Sequence, residues 1–502
     1  MKRILAILMT ICLLAGALSI STSAALLSEL DAVPVGTVLR VSALKGNSTE
    51  VIKDYNDFED GWNFAMEKAI DYEYLEDNGY DRIVVDLLTD WNANAKGEFG
   101  DSWGLGFRQS TIYVPDSARV MLNMNGHTID RGLGDNNELD GEVICIEEKS
   151  DVIINGGKNG DAIVMADVEK TTAQFGTIKG GNSDNGAGGI HIQDDAKVTL
   201  NNVKIVGNVA DGDDGGGIAM YDHASLIMNG GGFLDNKNDT YDKGYGAAIY
   251  MQDSTATFNK VLFSNNQFTY RSGHGAAIYA WLSSVVEVND CKFINNGNWD
   301  EKAGTKGSLS VIHMGGKMDI KNSVFEGNGS PEQNQYWGST TKVLHIGCLD
   351  FTMDNCTFTK NHANGYVIDN DSSYDDFVVR NSTFTNNDCG VYEGDAGEFI
   401  NCTFDQNGGT YTFGDDGEYF FGNVTLRDCN LGNSTFEKAK YVVIVDTDAE
   451  NGAASIFGEG SLALIVASVA LIASVASIIV NVTARKKKTV PVTKTESSEE
   501  GN

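Results

Sequence analysis

Basic residues are scarce. The 502 residues hold 37 Lys and Arg against 70 Asp and Glu, a formal charge of −33. A surface this acidic repels nucleic acid and anionic lipid, and it repels bare polyuronates as well. Cysteine is sparse and awkwardly counted. Of eight, Cys12 lies in an apolar leader, and the seven that remain cannot all pair internally, which excludes a fully disulfide-stapled fold. Cys12 also lacks the residues that precede a lipoprotein cysteine, and no LPxTG-type sorting signal occurs.

The ends of the chain carry what the middle lacks. Residues 1–25 combine Lys2 and Arg3, an apolar run and the small residues Ser23, Ala24 and Ala25. That pattern predicts a secretory signal peptide, with an uncleaved anchor as the alternative. Leu462 to Val482 carry no charge, long enough to cross ~30 Å of hydrocarbon as a helix. Arg485 and Lys486 to Lys488 follow, so the positive-inside rule assigns residues 484–502 to the cytoplasm. The expected order is a signal peptide (1–25), an N-terminal cap region (26–98), a repeat domain (99–446), a linker (447–460), a transmembrane helix (461–483) and a basic tail. Without leader and tail, 30 basic residues face 67 acidic ones, a net −37.

The repeat decides the fold class. Phe-x-x-Asn recurs at Phe233, Phe263, Phe293, Phe325, Phe358, Phe384 and Phe404, preceded by Ile205 and followed by Leu431, at steps of 20 to 33 residues. Seven and five residues before each anchor stand apolar pairs, such as Val198/Leu200, Phe258 with Ala256, and Val286/Val288, with Gly397 the one exception. A polar residue usually separates them, which is strand alternation. Two residues before the anchor a small column runs through Val261, Cys291, Ser323, Cys356, Ser382, Cys402 and Cys429. Its cysteines read as stacked core thiols, with a Cys402–Cys429 bridge as the alternative. Three residues after the anchor comes asparagine, from Asn208 to Asn407. Asparagine tolerates a left-handed corner, and its amides can bond up a stack. The sequons at Asn355, Asn381 and Asn401 fall out of the same period.

Such a period predicts an all-β fold: a single-stranded right-handed parallel β-helix of about a dozen turns. An open rod end needs a cover. "DFEDGWNFAMEKAI" (57–70) puts Trp62, Ala65, Met66, Ala69 and Ile70 on one helical face and predicts a helical N-terminal cap. "KYVVIVD" (440–446) is the candidate last strand.

Gly188-Gly189-Ile190, Gly216-Gly217-Ile218, Gly246-Ala247-Ala248-Ile249 and Gly275-Ala276-Ala277-Ile278 lie 14 or 15 residues before their anchors. Together with Phe-x-x-Asn they resemble the polymorphic outer-membrane protein repeats of bacterial adhesins and autotransporters, within a pectin-lyase-like fold. The resemblance covers residues 188–431. It implies a surface protein; a terminal helix in place of a membrane barrel implies a Gram-positive-type cell surface.

Gly273-His274-Gly275 resembles a fragment of the polygalacturonase active site. That family also needs an Asn-x-Asp, an Asp pair and an Arg-x-Lys, none of which accompanies it here. A glycine turn is the expected role, and no catalytic residue is assigned. Asp194, Asp222 and Asp253 each follow the Ile of their turn by four residues and are expected to stack, as a weak Ca²⁺ site or as carboxylates splayed into water. "DGDDGGG" (211–217) is a second weak calcium candidate. No other cofactor is expected. Between and after the inward Ile and Met residues, Tyr221, Tyr250, Tyr279, Trp281, His313 and His345 are expected to point outward. Two readings stay open for them: rings that stack against sugars, or outer stacks that stabilise the rod.

Three functions follow. The first is a non-enzymatic, membrane-anchored surface protein that binds glycans or cell-surface proteins. The second is a lyase or hydrolase acting on carbohydrate, for which Arg271 and Lys243 are the nearby bases. The third is an architectural spacer. Fold alone does not choose among them.

Overall fold

The structure, a computed structural model, describes residues 33–447 apart from internal stretches, the longest being 94–104, 298–308 and 331–340, together with 453–457 and 465–467. The leader and tail lie outside the described residues.

Three long sheets, of seventeen, eleven and twelve strands, wrap around one apolar interior. Each circuit of the chain adds a strand to each sheet, parallel to its predecessor and in register. Val198 and Leu200 stack on Leu226 and Met228, then on Ala256 and Phe258, and these residues are at most 3% exposed. The anchors run up the second sheet from Phe233 to Phe404. Their rings lie nearly parallel, 4.3 to 5.4 Å apart. The rungs of a parallel sheet already impose that spacing, so the stack forms without strain.

The asparagine column does more than turn a corner. The left-handed residue stands one place before it, at Asp235, Asn265, Asn295 and Asn386, which corrects the expectation that the asparagine itself adopts that conformation. An Asn, Asp or Gly suits that place, whereas the next position needs the amide itself. From Asn208 to Asn387 the column is almost wholly buried. Each side-chain amide donates to the Oδ1 of the next, at 2.8 to 3.1 Å as far as Asn407. Its other N–H reaches an anchor carbonyl one rung back, as from Asn296 to Phe263 O at 2.9 Å. Its oxygen also accepts the preceding asparagine's backbone N–H. No donor or acceptor of the amide is left over, the condition for burying it.

The small column is a second such device. Cys291 Sγ accepts the Val261 N–H, Ser323 Oγ accepts that of Cys291, and Ser382 Oγ that of Cys356. None of the six described cysteines forms a disulfide. Cys402 and Cys429 are thiols on adjacent rungs, with the Cys402 N–H on Cys429 Sγ at 3.4 Å. Burial pushes the Cys291 and Cys356 thiols up to about 12, so they stay protonated and inert. Gly397 also finds its reason. A Cβ there would meet Phe377 Cδ1 and Tyr392 Oη at 3.0 Å, because the fully buried Tyr392 fills the space the apolar pair occupies on other rungs.

At the N-terminus, Leu39–Lys45 and Ser48–Tyr55 form an antiparallel hairpin, and Arg82–Leu87 joins it to Arg119–Asn123 as the first parallel rung. The coil therefore starts before residue 99, because "RIVVDL" already has the apolar content and register of a rung. Helix α1 (Phe58–Ala69) begins at Asp57, whose carboxylate caps the Asp60 N–H. Phe58, Trp62, Ala65, Met66 and Ala69 are buried in the same cluster as the first rungs. The Trp62 indole donates to Tyr113 O at 3.1 Å, and Asn63 Oδ1 accepts the Gly106 N–H at 2.8 Å.

At the other end, Val442–Val445 is the last parallel strand. Ala453–Phe457, inside the expected linker, then pairs antiparallel with it, and Ile465–Ala467 pairs with that strand in turn. An open edge presents unpaired N–H and C=O groups, and a following strand satisfies them. Ile465–Ala467 is the one described part of the expected transmembrane helix, 461–483, and it is a strand. No helix among the described residues is long and apolar enough to cross a membrane.

Asn296→Ala removes the acceptor of one Asn266 side-chain N–H and of the Asn266 backbone N–H, at about 1–3 kcal/mol for each buried group. The expected result is an unfolding free energy lowered by at least ~2 kcal/mol in urea titration; an unchanged free energy contradicts the ladder. Gly397→Val is expected to lower the melting temperature and Tyr392→Phe in the same chain to restore part of it. Equal losses in single and double variants, measured by thermal melts, exclude the contact with Tyr392 Oη.

Candidate functional site

The outer side of the third sheet carries two neighbouring columns. In the first, Tyr113, Cys145, His191 and Ala219 lead in register to Tyr250, Tyr279, His313, His345, Asp369 and Glu393. Two residues on, Gln252 pairs with Trp281. The same register, carried by the Gly315, Gly347 and Asp371 backbone N–H bonds, continues that second column.

The six expected outward residues are all outside the cylinder, but most are not exposed. Tyr250, Tyr279 and His313 are 6 to 8% exposed, Tyr221 and His345 half-buried, and Trp281 alone is open, at 43%. The cause is the glycine turn that precedes the strands of Tyr250 and Tyr279. Gly246 and Gly275 have φ of +66° and +72°, where a Cβ would strike the carbonyl of Ile249 or Ile278. The reversal lays the intervening residue over the sheet. Tyr245 and His274 pair in register with one another, and their rings lie 4.6 Å from Tyr279 and 5.2 Å from His313. Tyr250 and Tyr279 are parallel beneath them, 5.7 Å apart. His274 is thus a turn residue, and the aromatic column is largely a second packed layer. Burial pushes the Tyr279 hydroxyl upward, so it stays protonated.

The three aspartates do not converge. Asp222 and Asp253 are left-handed (φ +37° and +46°), whereas on the rung of Asp194 that conformation falls on Asp195, and the three are not among the described carboxylates whose oxygens gather with other donors within 4.8 Å. Asp253 Oδ1 instead accepts the Ser283 N–H. In the 211–217 loop, Asp214 accepts the Tyr221 hydroxyl at 2.7 Å. Arg271 and Lys243 lie outside the described residues.

Two clusters gather instead, and sequence reasoning missed both. In the first, His345 Nδ1 meets Asp369 Oδ2 at 3.0 Å and Nε2 meets Asp371 Oδ2 at 3.5 Å, and Lys342 contacts Asp369. Burial pushes Asp369 up, but the His345 hydrogen bond and the Lys342 charge outweigh it and hold the group ionised. Asp371 is raised, by burial and then by the Asp369 charge. In the second, Glu142, Cys145 and His191 converge on adjacent rungs. Counting one rung past His345, onto "YVIDN", would have found Asp369; the Gly-Ala-Ala-Ile marker is missing there.

The first cluster borders a recess. Between Trp281 and Asp371 the column holds Gly315 and Gly347, which have no side chains. Among the described residues, a Cβ at Gly347 would meet only Met314 O, at 3.7 Å. Trp281 at one end, Asp371 at the other and His313 and His345 along one side span three rung steps, ~14 Å at ~4.8 Å each.

Among proteins grouped into families, residues 143–328 match the family described as right handed beta helix region. No curated protein and no solved structure matches the chain.

Burial, then the neighbouring His345, His274 and Lys342, pulls His313 down to about 2, and burial alone pulls His191 to about 4. Folding favours the neutral rings, while the unfolded chain takes up protons near 6.5. This stability is therefore full above pH 6.5 and lost as pH falls toward 4, by at most ~1.4 kcal/mol per pH unit for each ring. His313→Gln is expected to flatten the dependence of unfolding free energy on pH between 6.5 and 4; an unchanged slope means that His313 titrates normally.

Proposed function

We propose that the chain is a membrane-anchored surface protein whose β-helix binds carbohydrate, without cleaving it, in the recess between Trp281 and Asp371. The recess itself carries the reading. A sugar ring offers an apolar C–H face and a rim of hydroxyls. Here an exposed indole supplies a flat apolar surface, and the exposed Asp371 carboxylate and half-buried His345 imidazole supply the polar partners, the usual division of labour in a small-molecule site. The two glycines leave room for the ring over the sheet. With a net charge of −37 on the repeat and its flanks and the exposed Asp371 carboxylate at the end of the recess, the ligand is a neutral or amino sugar and not a uronate. The anchor reading rests on the uncharged run Leu462–Val482 and the basic residues after it. Helix α1, over the first rungs, serves as the N-terminal cover of the rod.

The runner-up is an enzyme acting on carbohydrate. Its supporting observation is His345 held between Asp369 and Asp371 in the same recess, a group able to move protons.

Full-length chain titrated with neutral and amino-sugar oligosaccharides from an array separates these readings. Binding is expected, weakened at least tenfold by Trp281→Ala and abolished by Gly347→Phe, with melting temperatures near that of the parent. Release of reducing or unsaturated sugars favours the enzyme. Equal binding by the parent and Gly347→Phe removes the recess from the account.

A further inference from the structure

Six rung steps from His345, the same outer column holds the second cluster. Glu142 stands two residues before the first residue of the strand Ile144–Ile146, Cys145 is that strand's outward residue, and His191 is the outward residue of Ile190–Ile192, paired with it in register. One carboxylate oxygen, one sulfur and one imidazole nitrogen lie within 4.8 Å of one another. We propose that Glu142, Cys145 and His191 form a zinc-binding site with one open coordination position.

The donor set selects the metal class. Thiolate with imidazole disfavours Ca²⁺ and Mg²⁺, which take oxygen ligands, and suits a borderline ion such as Zn²⁺. With bonds of about 2.0–2.3 Å, the edges of a tetrahedral zinc site are about 3.3–3.8 Å. A set already within 4.8 Å needs side-chain shifts of no more than about an ångström, and the ladder holds both strands in place. Three protein ligands leave the fourth position for water or a ligand atom.

The surroundings agree. Cys145 is 6% exposed, and Gln193 Nε2 approaches its sulfur at 3.8 Å, where an amide donor supports a thiolate. Burial holds His191 neutral, the form that ligates. It also pushes the Glu142 carboxyl up, a cost that a cation relieves. Arg131 lies close enough to Glu142 to oppose a metal, but Asp140 acts on both groups and keeps the neighbourhood acidic. The proposal is independent of carbohydrate binding.

Cobalt is the probe, because its thiolate complexes absorb in the near ultraviolet. Full-length chain stripped with a chelator is expected to bind one equivalent of Co²⁺ with a thiolate-to-cobalt charge-transfer band, and stoichiometric Zn²⁺ is expected to abolish it. Cys145→Ala is expected to lose the band and to weaken binding at least a hundredfold. Glu142→Gln and His191→Gln are expected to keep the band and weaken binding at least tenfold. Cys429→Ala, at the least buried of the six described thiols, is expected to behave as the parent. Circular dichroism verifies folding; should Cys145→Ala not fold, the His191→Gln titration decides alone. No band at one equivalent, a band that survives Cys145→Ala, or parent-like affinity in His191→Gln overturns the site.

Discussion

A buried asparagine amide bonded to the rung above and the rung below is the constraint on which the coil rests. Apolar pairs alone specify register loosely, since a slip of two residues still leaves one apolar side chain of each pair facing inward. An amide in the interior does not. Moved by one residue, it leaves two donors and an oxygen unsatisfied, at a cost comparable with the net stability of a domain. The Asn208-to-Asn407 ladder therefore selects one register, and the phenylalanine stack and the Cys/Ser column follow from it. Outside the cylinder the same register assembles columns from residues that are 24 to 46 positions apart in sequence.

That arrangement explains why both candidate sites lie where they do. A parallel coil makes each outer position a linear array, so chemistry arises wherever a few neighbouring rungs depart from the repeat. Tyr250 and Tyr279 fill the middle of the array and are sealed under the turn residues Tyr245 and His274. On either side the tyrosines give way to Cys, His and carboxylates, and there the groups cluster. At Gly315 and Gly347 the side chains disappear altogether and a recess results.

What could be read from the residues was what the period itself constrains. The inward positions seven, five, two and zero before each anchor, the strand at 442–445 and the helix with Trp62 inside all depend on spacing alone. The exposure of Tyr250, Tyr279 and His313 depends instead on what the next turn lays over them, and no periodicity encodes that. The aspartate column departs from the period for a local reason: the backbone reversal falls on Asp195 on one rung and on Asp222 and Asp253 on the next two. Gly397 looked like a flaw in the pattern because its partner, Tyr392, belongs to a different column. Cys145, His191 and Asp369 lay in the outer array, on rungs outside the run of Gly-Ala-Ala-Ile markers or at its edge.

Register is the most directly measurable claim. Lys197 and Lys317 are exposed and occupy one column of the first sheet, four rung steps apart through Ser225, Thr255 and Val285. Spin labels at these two positions, measured by pulsed electron paramagnetic resonance, are expected to give one narrow distance near ~19 Å between backbone sites, four steps of ~4.8 Å. A broad distribution, or a distance well above what four rungs and two label arms allow, would show that the stacked columns do not exist.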